Sequence, residues 1–238
     1  MGGGALVAPS LYVLLGLDYG QAVALSLIYS LFTKIVGAVQ HLRQGTVLWR
    51  ITLVYGLLGI PGAILGSWMI YWMPSAAGRA FPLLMSAVLL AVGTLLVLES
   101  SIPALAARAK PFSPHRITGP GVVAIAAFQL LVGGLLGLTS IGSGSLVILS
   151  MVYLFRMRAS EIVGSNLVIA LIMVVPAGLA HYVAGGVDWR LLAALLLGSL
   201  AGALLGARCT LLLPDRALKL TIAALIVVGA VATIVKAW

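Results

Sequence analysis

Two glycine-rich stretches carry the most obvious binding chemistry in the chain. Residues 2–4 read Gly2-Gly3-Gly4, and residues 140–145 read Ser140-Ile141-Gly142-Ser143-Gly144-Ser145; an apolar run follows each. Glycine allows a ligand or another backbone to approach closely. A helix that begins at such a stretch points unpaired N–H groups and a positive dipole end outward. That arrangement holds small anions without needing a cation. Inside a bilayer, irregular backbone persists only where it lines a cavity or is buried in protein. Gly2, Gly3, Gly4, Ser140, Gly142, Ser143, Gly144 and Ser145 are therefore expected to form an anion cradle near the membrane midplane.

Other polar residues inside apolar runs extend this site. Ser26 and Asn166 sit deep in their segments, where a hydroxyl or an amide needs either a neighbouring helix or a ligand. Lys34 is the one cation well inside an apolar run. Intramembrane charge points to function and would suit an anion, although its stem could also carry the ammonium out to the interface. His41 and His181 fall near segment ends, close to the interface, and are expected to gate or to relay protons rather than to catalyse. All five carboxylates, Asp18, Glu99, Glu161, Asp188 and Asp215, lie at segment ends or in loops. A cation carrier usually needs one at mid-membrane, so an anion fits better.

The elements that must position these groups are apolar helices. Of 238 residues, 62% are hydrophobic and 8% are charged, far below the roughly one quarter charged that keeps a domain in water. Runs of about 18 or more apolar residues recur, which predicts an all-α, polytopic membrane protein. The net charge of +9 arises from basic residues scattered singly at the ends of runs. That pattern orients a membrane protein and does not bind nucleic acid. Cys209 is the only cysteine, which excludes disulfides and cysteine-based metal sites and leaves it as a small packing residue.

Sliding the chain by 140 residues superimposes Gly2 on Gly142, Gly4 on Gly144, Ser10 on Ser150, His41 on His181, Trp49-Arg50 on Trp189-Arg190 and Pro74 on Pro214. The sequence thus reads as repeat 1 (1–99), a basic cytoplasmic linker (100–119) and repeat 2 (120–238). Segments are expected near 3–17, 20–42, 48–73 and 79–99, and again near 143–156, 160–183, 188–213 and 216–236, with an extra helix near 120–141. That extra helix has no counterpart ahead of Gly2, so repeat 1 is read as lacking its first helix. Segments 3–17 and 143–156 are shorter than a full span, which predicts broken or re-entrant helices. Arg108, Lys110 and Arg116 make the linker the most basic loop and place it in the cytoplasm. The other loops change their basic bias between halves, which favours inverted repeats of five crossings. Re-entrant short segments would instead give four crossings and parallel copies.

The duplicated glycine-rich start, the paired histidines, the turns Gly45-Thr46-Val47-Leu48-Trp49 and Gly185-Gly186-Val187-Asp188-Trp189, and the following Gly-Ala-x-x-Gly resemble the TauE/SafE family over essentially the whole chain. This resemblance implies a multi-pass carrier of the bacterial inner membrane for small sulfur-containing anions such as sulfite, sulfoacetate or related organosulfonates. It also implies seven or eight spans, which favours four crossings per half. The second start departs from a full glycine run through Ser143 and Ser145. The expected partners are a small anionic substrate and the lipid bilayer, with assembly into a homo-oligomer left open; no cofactor and no metal are expected. Two other readings compete. An intramembrane enzyme would use the His41 and His181 pair, but no HExxH or GxSxG accompanies them. A non-transporting scaffold would use the small-residue faces but leaves the glycine starts unexplained.

Overall fold

The computed structural model describes residues 4–101, 120–142, 144–155, 157–185, 187–212 and 215–238. Over these the chain is helical: α1 (Gly4–Leu14), α2 (Tyr19–Arg43), α3 (Trp49–Trp72), α4 (Pro74–Gly78), α5 (Ala80–Ser101), α6 (Pro120–Thr139), α7 (Ser145–Leu154), α8 (Ala159–Gly185), α9 (Trp189–Leu212) and α10 (Asp215–Ala237). The expected segments all appear, with the single-turn α4 added. α5 runs through Ser100 and Ser101, two residues into the stretch assigned to the linker. The rest of that stretch, with Arg108, Lys110 and Arg116, lies outside the described residues, as do Gly2, Gly3 and Ser143. The side chain of Cys209 lies outside them too.

Helix ends follow local chemistry. Asp18 caps α2 by accepting the Gly20 N–H at 3.0 Å. Asp188 caps α9 by accepting the N–H groups of Arg190 and Leu191 at 2.9 and 3.1 Å. The Glu161 carboxylate accepts the Arg158 N–H at 2.8 Å. These three acids are spent on helix starts, where dipole and charge agree. α2 ends at Gly45, whose φ of 65° suits glycine. There Gly45 N–H bonds to Leu42 O at 3.1 Å and Thr46 N–H to His41 O at 3.2 Å, the paired bonds that satisfy a helix C-terminus.

Four helices, α2, α3, α8 and residues Val122–Thr139 of α6, are long and apolar enough to cross a membrane. Large apolar side chains such as Leu65, Val123, Val183 and Val228 stand exposed on the outside of the bundle, whereas Ser26, Ser30, Thr52, Gln129 and His181 are buried. A soluble protein has the reverse, so this arrangement suits a surround of lipid.

The contacts fix helix directions. α3 and α6 share the most extensive interface and run the same way, with Gly133 against Gly59 and Gly137 against Ala63. A side chain at Gly62, Gly66, Gly133 or Gly137 would overlap with backbone carbonyls of the facing helix. Glycine at these positions brings the two backbones into direct contact. α8 also runs parallel to α3, with Leu48 N–H donating to Ser165 Oγ at 2.9 Å near their starts and Met173 packed on Gly59. α2 runs antiparallel to α8, since Gly37 faces Leu167 and Ile28 faces Gly178. α5 runs antiparallel to α10, since Gly93 lies against Ile226 and Val227 while Arg79 sits over the Trp238 ring at 4.6 Å. One end of the bundle thus holds the α2–α3 and α7–α8 turns. The other holds the α1–α2, α3–α4 and α8–α9 turns.

Candidate functional site

The break between α6 and α7 is the most irregular backbone among the described residues. Ser140 has φ of 60°, the only non-glycine positive φ among the described residues, and Gly142 has φ of 120°. A left-handed serine costs of order 1 kcal/mol and persists where its surroundings hold it. Here Ser140 Oγ lies 2.9 Å from Ser26 Oγ on α2, and Ser140 N–H donates to Leu136 O at 2.7 Å. The Thr139 hydroxyl bonds to Leu135 O at 2.6 Å and accepts the Ile141 N–H at 3.2 Å. Two residues singled out from sequence, Ser26 and Ser140, are therefore brought together in a buried contact.

A helix that stops inside a bundle strands its last carbonyls. Side chains from two other helices take those of α6. Tyr19 OH donates to Leu138 O at 2.7 Å. His181 Nε2 bonds to Gly137 O at 2.9 Å. Because a carbonyl only accepts, Nε2 carries the hydrogen and Nδ1 accepts from Tyr71 OH at 3.0 Å. The start of α7 is different: Gly144 is its N-cap with no side-chain hydrogen bond, and its first turn presents N–H groups that no helix carbonyl can reach. A side chain added at Gly144 would meet nothing within 4 Å, so space adjoins these groups.

The remaining predicted residues distribute as follows. Gly4 opens α1, which packs on α2 and α10, and Ser145 opens α7, which packs on α8. Lys34 is half-buried, and its ammonium donates to Ser30 Oγ at 3.1 Å, one turn back toward Ser26. Asn166 is buried, and its Oδ1 has no hydrogen-bond partner. His41 Nδ1 lies 2.8 Å from Thr46 Oγ1 in the α2–α3 turn and close to Gly164. His181, expected near the interface, is instead 0% exposed, because α8 continues to Gly185 and the ends of α3 and α6 cover it. His41 sits by Gly164 and His181 lies on the same α8, so roughly 25 Å of helix rise separates the imidazoles. They do not form one catalytic pair.

Tyr19 and Tyr71 were not anticipated. A tyrosine in an apolar run does not announce which way its hydroxyl turns, so sequence offered no signal for them. At the end of the bundle holding the α8–α9 turn, a cleft of about 290 Å³ opens between Leu17, Gln21 and Leu25 on one side and Val187, Asp188 and Leu191 on the other. It reaches the residue next to Ser26.

A bundle of apolar helices with a broken segment and a buried, paired polar end defines a helical membrane protein of the transporter class. The model of the sulfite exporter TauE/SafE family matches residues 1–233, and the chain belongs to that family. It is similar to the "Probable membrane transporter protein YjnA" of Bacillus subtilis, at 31% identity over 96% of this chain and 90% of the relative. It is also similar to the "Probable membrane transporter protein YdhB" of the same organism, at 26% identity over 92% of this chain and 86% of the relative. No solved structure matches.

Proposed function

We propose that the protein is a secondary transporter of the bacterial inner membrane that moves a small sulfur-containing anion, such as sulfite, sulfoacetate or another organosulfonate. The observation that carries this reading is the uncapped start of α7 beside the Ser26–Ser140 contact. It offers bare N–H groups next to open space, a few residues from a buried pair of hydroxyls, inside a bundle whose described carboxylates serve helix ends. Neutral donors of this kind stabilise an anion at low dielectric without binding a cation. The family description supports the sulfur chemistry. This reading makes the protein a carrier rather than an enzyme, in keeping with two histidines at opposite ends of α8.

The helix directions support inverted repeats. The starts of α2 and α8, Tyr19 and Ala159, are 140 positions apart, and so are those of α3 and α9, Trp49 and Trp189. Within the first pair the helices run antiparallel, as a two-fold axis in the membrane plane requires. Arg43, Arg50 and Arg158 lie with Glu161 at the end with the α2–α3 and α7–α8 turns, and Arg79, Arg190 and Lys236 lie with Asp18 and Asp188 at the other. The first end also carries fewer acids among these residues and receives both ends of the basic 100–119 stretch, which supports its reading as the cytoplasmic end. The test is radiolabelled sulfite flux in proteoliposomes with Gly144→Leu, which fits the adjoining space and has φ of −92° available to it. Flux is expected to fall at least tenfold with the fold intact; unchanged flux removes the α7 start from the pathway.

A further inference from the structure

Among the described residues, four buried polar side chains have atoms with no hydrogen-bond partner: Thr52 Oγ1, Tyr55 OH, both amide atoms of Gln129, and Asn166 Oδ1. Leaving one such atom unpaired inside a protein costs more than a typical hydrogen bond gains. Four of them in a bundle that otherwise pairs its interior hydroxyls call for a common cause, and the helix registers supply one.

Met173 of α8 packs on Gly59 of α3, and Leu48 bonds to Ser165 nearer the helix starts. Two turns back from the Gly59–Met173 contact, on the same faces of these parallel helices, stand Thr52 and Asn166. Tyr55 is the next turn along from Thr52, with its ring 6.0 Å from that of Phe155 and with Ser150 of α7 as its polar neighbour. On α6, Gly133 lies against Gly59, so Gln129, one turn earlier, comes level with Tyr55. Three helices thus bring two hydroxyls and two amides to one height. On α2 the backbone of Lys34 comes near the level of Tyr55, while its ammonium rests on Ser30, one turn toward the Ser26–Ser140 contact.

We propose that Thr52, Tyr55, Gln129 and Asn166 form a second binding station for the transported solute, nearer the end with the α2–α3 turn than the Ser26–Ser140 contact is. The Thr52 and Tyr55 hydroxyls and the Gln129 amide N–H groups donate to several oxygens at once, whereas the Asn166 and Gln129 amide oxygens only accept and so oppose further negative charge. The station therefore takes a singly charged oxyanion with a compact head, such as a sulfonate, and discriminates against a dianion, whose second charge finds no counterpart. The inference rests on the transport reading above and adds where the solute waits and which charge state it carries.

The test uses the full chain in detergent and in proteoliposomes, with methanesulfonate and sulfate as probes. Thr52→Val, Tyr55→Phe and Asn166→Leu each remove an unpaired group at nearly constant volume. The unliganded variants are expected to melt at or above the wild-type temperature. The wild type is expected to be stabilised by methanesulfonate and not by sulfate, and the variants to lose that shift and at least tenfold of methanesulfonate flux. Wild-type shifts and flux in all three variants would overturn the station while leaving the transport reading in place. A fall of several degrees in the unliganded Thr52→Val and Tyr55→Phe proteins would also overturn it, by showing that these groups are structural. If methanesulfonate and sulfite leave the wild type unmoved but inorganic phosphate or nitrate stabilises it, and the variants abolish that effect, the station stands and the sulfur assignment falls. If no small solute stabilises the wild type, both fall.

Discussion

The end of α6 and the polar group nearer the α2–α3 turn are both buried and answer the same problem in opposite ways. At the end of α6, a helix stopped short strands carbonyls, and three in succession find donors: Leu136 O takes the Ser140 N–H, Gly137 O His181, and Leu138 O Tyr19. Nearer the α2–α3 turn, Thr52, Tyr55, Gln129 and Asn166 are buried too, with atoms left over. The first arrangement is complete by itself and therefore stabilises. The second is incomplete by itself, as the proposed station requires. Polarity in a buried site does not separate scaffold from binding surface; pairing does.

The harshest way to break this contrast is to remove the frame that both regions share. Gly62→Leu drives a side chain into the Leu130 carbonyl, where backbone cannot step aside as a flexible side chain would. The cost should exceed the roughly 1–3 kcal/mol of ordinary overpacking, and loss of the monodisperse species on size exclusion would register it. Next in size, His181→Leu deprives both Gly137 O and Tyr71 OH of a partner. At about 1–3 kcal/mol for each stranded group, thermal unfolding should move down by several degrees. Tyr19→Phe strands Leu138 O alone, so its cost should be about 1–3 kcal/mol, clearly below that of the histidine change. The smallest effect carries the opposite sign: Tyr55→Phe removes a hydroxyl that has no partner. It should leave unliganded stability unchanged or raise it by up to about 1 kcal/mol. If Tyr19→Phe and Tyr55→Phe shift the melting temperature alike, the distinction between the two regions is lost.

The helices were plain in the sequence because lipid demands long apolar runs, and Gly45, Asp18 and Asp188 mark ends by chemistry that depends on neighbours only a few positions away. Ser26 and Ser140 were each suspect, yet their union was not legible. They are 114 residues apart, and nothing periodic connects a mid-helix serine to a left-handed one. His41 and His181 share a letter and an interval but not a fate, since what covers His181 is the end of a helix that packs there only in three dimensions. Gln129 was legible and passed over: a lone amide at the centre of an apolar run is as unusual as Lys34. Thr52 and Tyr55 were not, because threonine and tyrosine occur on lipid-facing and buried surfaces alike, and only the register of α3 on α8 decides which.

The seam between α3 and α6 has a mechanical meaning. Where carbonyls and α-carbons touch with no side chains between them, nothing can change rotamer to ease one helix past the other, so the two form a single stiff plank. Any tilting that carries a solute across the bilayer must bend at the plank's edges. The break at Ser140 and Gly142 follows α6 at one of them, where Ser140 meets Ser26 on a neighbouring helix.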